Sequence, residues 1–365
     1  MGRRPSRSGN PKPASAGETP PPRGRARLAQ VAQLAGVGIA TVDRVLNERG
    51  SVAPETTRKV IDAARQLKLG RSLPIAYRRG LRLEVIMARP DLPLFQRLNR
   101  AFVDAASTLD RSVIVQRSFI DEAKPQLAAE RILATQADAV ILYGQELPSV
   151  IDAVTSITVG GKPVVTLCSD LPTSPRLAYV GIDHYSAGRT AAYFMTRMTR
   201  RQGPVIVLTH CLDYRAHAER IGGFRDWLSE HKADLSVACI LEGREAPDLS
   251  ERLLTEALLG YADAIGVYNT SDANVAVKQA LQTTGRTGDI VFIGHELDAH
   301  TRRLLADGTM ALTIDQNPER QARAALDTLL ARFGYAEKMR FPESSNDVPF
   351  SIYGPENVRS RKLVK

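Results

Sequence analysis

Residues 28–46, LAQVAQLAGVGIATVDRVL, decide how the rest of the chain is read. Leu28, Val31, Ala32 and Ala35 recur at helical spacing, and Val42, Val45 and Leu46 resume that period further on. Gly36 interrupts it, and glycine takes a positive φ at little steric cost. The spacing predicts two short helices joined by a tight turn, the arrangement that lays a second helix in a DNA major groove. Ala32 is small enough for the helices to cross closely, Gly36 turns the chain, and Val42 fills the angle between them.

Working outward, a third helix is expected from Pro54. Proline suits the first helical position, and Glu55 follows in the first turn, where the helix dipole favours an acid. Val60, Ile61, Ala64 and Leu67 make one apolar face, expected to close a small core over Val31, Val42 and Val45. Residues 1–26 are rich in Pro, Gly, Ser and Arg and are expected to be a disordered basic tail. Residues 27–67 then form a headpiece and 68–82 a hinge linker, in which Pro74 would interrupt a helix. Arg71, Arg78, Arg79 and Arg82 of the linker are candidates for phosphate contacts.

The charge follows this division. Residues 1–82 hold 17 Lys or Arg against 5 Asp or Glu, whereas residues 83–365 hold 32 against 35. The positive surplus therefore sits wholly in the segment carrying the proposed headpiece, as expected of a nucleic-acid binder. No apolar run approaches the roughly 20 residues of a membrane span. The first residues are basic without an apolar core, which is not the make-up of a secretory signal, so a cytosolic protein is expected. Cys168, Cys211 and Cys239 are isolated and read as buried thiols. The six histidines show no metal-ligand spacing, and neither a metal nor a cofactor is expected. No GxSxG elbow, Walker loop or GxGxxG fingerprint occurs, so an enzyme is not expected.

From residue 83 the pattern changes to short apolar runs alternating with helical stretches: LEVIMA, FQRLNRAFVDAASTL, SVIVQRS, and onward to MALTIDQ. Unbroken apolar strands of this kind are buried on both faces of parallel sheets. Such alternation over so many residues argues for two doubly wound α/β units rather than one. In open α/β sheets, ligands bind beyond the carboxyl ends of the strands. Polar residues just after each apolar run are therefore candidates: Asp91, Ser169, Asp170, Tyr214, Arg215, Asn269, Asp272, His295, Glu296, Asp315 and Gln316, with Phe95 as an aromatic wall. A lining of carboxylates and amides suits a polyhydroxylated ligand, because each hydroxyl both donates and accepts. Asp and Asn also cap helices at such positions.

The order AxxAGV, ATVxRVLN, then VxPETxxKV across residues 28–67 resembles the headpiece of the LacI family of bacterial repressors. The resemblance implies a fold class of α/β type: a small all-α helix-turn-helix headpiece followed by two doubly wound lobes of periplasmic-binding-protein type. It places lobe 1 at about 83–184 and 316–341 and lobe 2 at about 185–315 and 342–358, with crossings near Ile182, Ile314 and Phe341. It also implies a hinge helix whose leucine wedges into the minor groove, with Leu73 the weak candidate. ERIGGF puts Arg220 at the family's ligand-facing arginine, YNTSDAN puts Asn269 at a ligand-facing amide, and DQNP puts Gln316 at a pocket glutamine. GHE puts Glu296 where relatives carry aspartate, and TLCSD lacks the Asp-Arg pair of ribose-type binders, leaving Asp170 as the substitute.

DNA is expected to be read by the start of the second helix. Gly38, Ile39 and Ala40 offer no side-chain hydrogen bonds, but Ile39 and Ala40 can pack on thymine methyls. Arg44 is the candidate for a bidentate guanine contact, with a phosphate contact as the alternative. By resemblance Thr41 and Asn47 hold the sugar-phosphate backbone, and Leu28 joins the DNA-facing set. Asp43 stands where relatives often have serine; it could accept from cytosine, orient Arg44 or cap the helix. The expected protein is a ligand-responsive repressor, a homodimer on a near-palindromic double-stranded operator, with a sugar or polyol effector. The rival is a solute-binding protein for sugar uptake with no DNA role.

Overall fold

A computed structural model describes residues 23–47, 49, 52–67, 80–231, 234–335 and 348–358. The chain divides into two units, Met1–Arg79 and Gly80–Lys365.

In the first unit, α1 (Arg23–Ala35), α2 (Ile39–Leu46) and α3 (Pro54–Gln66) pack pairwise. Val31, Val42, Val60 and Ala64 are fully buried between them, with Ala32, Ala35, Val45 and Ile61 around. Each wholly buried valine is worth about 1.5–3 kcal/mol, enough to hold three short helices that would be marginal alone. Gly36 sits at φ +65°, the left-handed value that the turn between α1 and α2 requires. Helix α1 starts at Arg23, inside the stretch expected to be disordered. Between Pro22 and Pro54 no proline interrupts the chain, and Arg and Ala are strong helix formers.

In the second unit β1 (Leu81–Ala88) opens two residues inside the stretch read as linker. Its Leu81 is buried and pairs with Val113, which draws residues 81 and 82 into the sheet. The other linker residues singled out from the sequence, Arg71, Leu73, Pro74, Arg78 and Arg79, lie outside the described residues, as does Phe341. After β1 come α4 (Pro93–Ser107), β2 (Val113–Ile120), α5 (Pro125–Leu133), β3 (Ala139–Leu142), α6 (Pro148–Val159), β4 (Val164–Leu167) and β5 (Ala178–Val180). They make a parallel sheet in the order β2-β1-β3-β4-β5. The chain then builds α7 (His184–Met198), β6 (Gly203–Thr209), α8 (Arg215–Glu230), β7 (Leu235–Glu242), α9 (Pro247–Gly260) and β8 (Gly266–Asn269). It continues through α10 (Asn274–Thr283), β9 (Val291–His295), α11 (Ala299–Ala306) and β10 (Leu312–Asp315). The second sheet runs β7-β6-β8-β9-β10-β11, the same winding with one added strand.

Helix α12 (Pro318–Phe333) leaves this second sheet and packs on α4, β4 and β5 of the first. Strand β11 (Ser351–Tyr353) then joins the second sheet antiparallel to β10, ahead of the short α13 (Pro355–Val358). Strands β3, β4, β8 and β10 are buried at every residue, as expected of parallel strands covered on both faces, polar Thr166, Asn269, Thr313 and Asp315 included. Helices α7 and α8 cross at Gly188 and Gly223. A Cβ on Gly188 would meet the carbonyl of Arg220, and one on Gly223 the carbonyl of Tyr185. That crossing fixes α8, the helix that carries Arg220 toward the cleft.

Candidate ligand cleft and DNA-reading helix

The carboxyl ends of both sheets face one cleft, partly open to solvent. In each sheet the winding reverses beside its first strand, and such reversals open crevices for ligands. The backbone marks the place as well. Among the described residues, every non-glycine with positive φ lies within three residues of one of these strand ends: Arg89 after β1, Cys168 after β4, Arg244 and Glu245 after β7, Glu296 after β9 and Asn317 after β10. Left-handed backbone costs on the order of 1–3 kcal/mol per residue, and it persists where packing re-aims a side chain into a site. Cys168, Glu245 and Glu296 all line the cleft.

Three walls can be distinguished. Phe95 and Tyr143 meet edge to face at 4.8 Å between ring centroids, and Tyr143 stacks on Tyr214 at 4.6 Å, giving an apolar side. Glu296, Gln316 and Arg220 form a polar side. Gln316 Nε2 donates to Glu296 Oε1 at 2.6 Å, and its own Oε1 accepts from Gln321 at 3.1 Å. Arg220 Nε donates to His184 Nδ1 at 3.1 Å, and Nη1 to the carbonyl of Thr270 at 2.5 Å. His184 Nδ1 is thereby an acceptor, so its proton is on Nε2, which donates to the carbonyl of Cys168 at 2.5 Å. The third side is acidic: Glu122, Glu245 and Asp272.

Electrostatics follow from burial. Burial, with the charge of Asp315, pushes Glu296 up to about 7, Arg220 and Arg97 offsetting part of this. Burial likewise raises Glu245, and it raises Asp272 further with the help of Glu245 and Glu296. Burial works against the Glu122 carboxylate, yet hydrogen bonds from His210 and Tyr214 and the nearby Arg89 hold it below its ordinary value. Burial also works against a charged His210, but the Cys211 and Glu122 side chains raise it to about 10. His184 and His217 are kept neutral by burial and by Arg220. Among the described residues no group of three His, Cys, Asp or Glu is placed to hold a metal ion, and no helix is long and apolar enough to cross a membrane.

In the first unit, α2 buries Val42 and Val45 and turns Ile39, Ala40, Arg44 and Asn47 outward. Gly38 caps the helix without a side chain. Thr41 and Asp43 are half-buried, and Leu28 packs against the headpiece core. Asp43 accepts from Asn47 Nδ2 at 2.8 Å and lies 3.9 Å from Arg49. The carboxylate is thus tied to the C-terminal turn rather than to Arg44, whose Nε reaches back to the carbonyl of Ala40 at 3.4 Å.

Residues 27–69 match the family model of bacterial regulatory proteins, lacI family, and residues 83–334 match that of the periplasmic binding protein domain. The chain belongs to the lacI family of bacterial regulatory proteins. It is a DNA-binding transcriptional regulator. Catabolite control protein A of Staphylococcus epidermidis is 28% identical over 268 residues, covering 69% of this chain and 79% of that one. The HTH-type transcriptional regulator DegA of Bacillus subtilis is 24% identical over 247 residues, covering 64% and 72%. In fold, a solute-binding protein from Burkholderia graminis in complex with D-arabinose superposes with a TM-score of 0.68 at 21% identity, covering 77% of this chain and 98% of that one. A glucose-galactose binding protein from Geobacillus stearothermophilus does so with a TM-score of 0.67 at 21% identity, covering 75% and 98%.

In this lacI-family regulator the structure brings together only some of the residues singled out from the sequence. Phe95, Arg220, Glu296 and Gln316 line the cleft, and so does Asp272. Asp91, Asp170 and Asn269 do not. Asp91 is turned outward and chelated by Arg89 at 3.1 and 2.9 Å. Asp170 is neutralised by Arg176, six residues on in the same loop, and accepts from Thr166. Asn269 is fully buried, its amide donating to Ser271 and Asn274, so it shapes the turn into α10. Asp315 holds Arg97 and His295 bonds Tyr268, both behind the lining. Sequence reasoning missed Glu122, Tyr143, Cys168, His184, His210, His217 and Glu245. The strand-end rule would have found Glu122 had β2 been carried through Ile120 instead of stopping at Ser118. It also reaches His210, which directly follows β6.

Proposed function

We propose that this regulator is a cytosolic repressor, a homodimer on a near-palindromic operator, whose grip on DNA is set by a small polyhydroxylated ligand held between its two lobes. One observation carries the ligand half of this reading: a single cleft joins carboxylates, an amide and an arginine to the rings of Phe95 and Tyr143. Hydroxyls need such paired donors and acceptors, and a sugar's C–H face needs an apolar wall. The likeness to proteins solved with D-arabinose and D-allose supports the same class. For DNA, Arg44 is the residue proposed to reach a guanine edge, with Ile39 and Ala40 against thymine methyls and Thr41 and Asn47 on the backbone. Asp43, held by Asn47 and Arg49, positions the end of α2.

The ligand acts by preferring one arrangement of the lobes, and its effect on DNA affinity is no larger than that preference. The test selects the preferred duplex from a random pool with the full chain at physiological salt. It then titrates monosaccharides and polyols while following both DNA affinity and melting temperature. A sequence preference that a sugar or polyol alters is the expected result. No preference over random duplex overturns the DNA half, and a preference that no such compound changes overturns the ligand half.

A further inference from the structure

Acids outnumber fixed cations along the cleft. Glu122, Glu245, Asp272 and Glu296 line it, and Arg220 is the arginine among the lining residues. The positive groups nearby are already engaged. His210 and Arg89 face Glu122, at 3.2 and 3.6 Å. Arg97 is clamped by Asp315 and Glu319. Arg220 has its Nε and Nη1 on His184 and Thr270. His184 and His217 are neutral. Arg220 and Arg97 offset part of the burial of Glu296, and His210 and Arg89 part of that of Glu245, whereas Asp272 meets only like charges, from Glu245, Glu296 and Asp298.

Two oxygens make this directional. Glu296 is 3% exposed, and its Oε2 accepts no hydrogen bond, the nearest cation being Arg97 Nη1 at 4.0 Å. Asp272 Oδ1 is likewise a buried oxygen without a hydrogen bond, its Oδ2 accepting from the backbone of Leu94 at 3.4 Å. A hydroxyl brings such an oxygen one proton and no charge. An ammonium brings three N–H donors and the counter-charge that a buried carboxylate needs. A carboxylate-bearing ligand would push these raised acids up further and bring them no counter-charge.

We propose that the ligand is a sugar or polyol bearing a protonated amine, the amine lodged against Asp272, Glu245 and Glu296 and the C–H face of the carbon skeleton against Phe95. This rests on the reading that a small ligand enters between the lobes. A cation placed there also stabilises the ionised acids, so it competes with their protons.

The test uses the full chain and matched triplets differing at one carbon. For gluco and galacto hexoses these are the 6-amino-6-deoxy sugar, the parent hexose and the uronate. For the alditols they are the 1-amino-1-deoxy alditol, the alditol and the aldonate. Calorimetry and melting shifts are read at pH 6 and pH 8, where these alkylamines remain largely protonated. In at least one triplet the amine binds tenfold or more tighter than its neutral member, binds more tightly at pH 8 than at pH 6, and releases protons on binding. Glu245→Gln and Asp272→Asn each remove at least tenfold of that preference, and the same two variants still melt cooperatively. A neutral or acidic member binding as tightly as the amine overturns this inference and leaves the polyhydroxylated-ligand reading intact. No binding by any member overturns both.

Discussion

His210 Nε2, just after β6 of the second sheet, stands 3.2 Å from Glu122 Oε2, just beyond β2 of the first, and the hydroxyl of Tyr214 donates to that same oxygen at 2.9 Å. This contact ties the two lobes directly across the cleft.

The clasp gives a signed pH dependence. His210 is raised to about 10 from 6.5, so its contribution is complete below about 6.5 and is lost as pH climbs through 10. Glu122 is lowered from 4.5, so its contribution is present above 4.5 and is lost as pH falls through its folded value. The melting-temperature difference between the wild type and Glu122→Gln is therefore expected to be largest between about 4.5 and 6.5 and to shrink toward pH 10. A difference that stays flat across that range rules the clasp out.

Glu296 carries the opposite sign. A carboxyl raised from 4.5 to about 7 costs stability as pH rises through that interval, because folding disfavours its ionised form. Glu296→Gln should therefore raise the melting temperature at pH 8, by about 2–4 °C for each kcal/mol relieved, and leave it unchanged near pH 4.5. The same variant should lose the response of DNA affinity to ligand. Equal melting temperatures at pH 8 would show that the buried charge is not under strain.

Gly223→Ala tests the helix crossing that aims Arg220. The new methyl would collide with the carbonyl of Tyr185, so α8 must shift or the backbone must bend. A loss of about 1–3 kcal/mol is expected by denaturant unfolding, together with weakened ligand binding. Gly222→Ala, one residue earlier, has nothing within 4 Å of its Cβ and should be tolerated.

Arg44→Ala should weaken binding to the selected duplex by about 1–3 kcal/mol and relax preference at one base pair. The melting shift produced by ligand should not change. Uniform weakening on all duplexes, with a salt slope lower by about one, would reassign Arg44 to a phosphate.

Much of the fold was legible because its signals are local. The 3.6-residue period of Val31, Val42 and Val45 and the break at Gly36 describe the headpiece almost completely. The limits of reading were also local: Arg23 begins a helix in a stretch whose Pro and Gly content suggested disorder. At the cleft, the strand-end rule found Glu296, Gln316 and Asp272, which stand just past β9, β10 and β8. It failed at Asp91 and Asp170, because Arg89 and Arg176 draw those carboxylates aside.

The sequence by itself determined the element order, the two windings, the basic front segment and membership of the lacI family, since each depends on neighbours along the chain. Only the tertiary structure decided which charged groups meet at the cleft and in what charge state. Glu122 and His210 are 88 residues apart in the chain, and Glu245 and Asp272 are 27 apart. Their pKa values depend on burial and on charges brought close by folding, which no local spacing encodes.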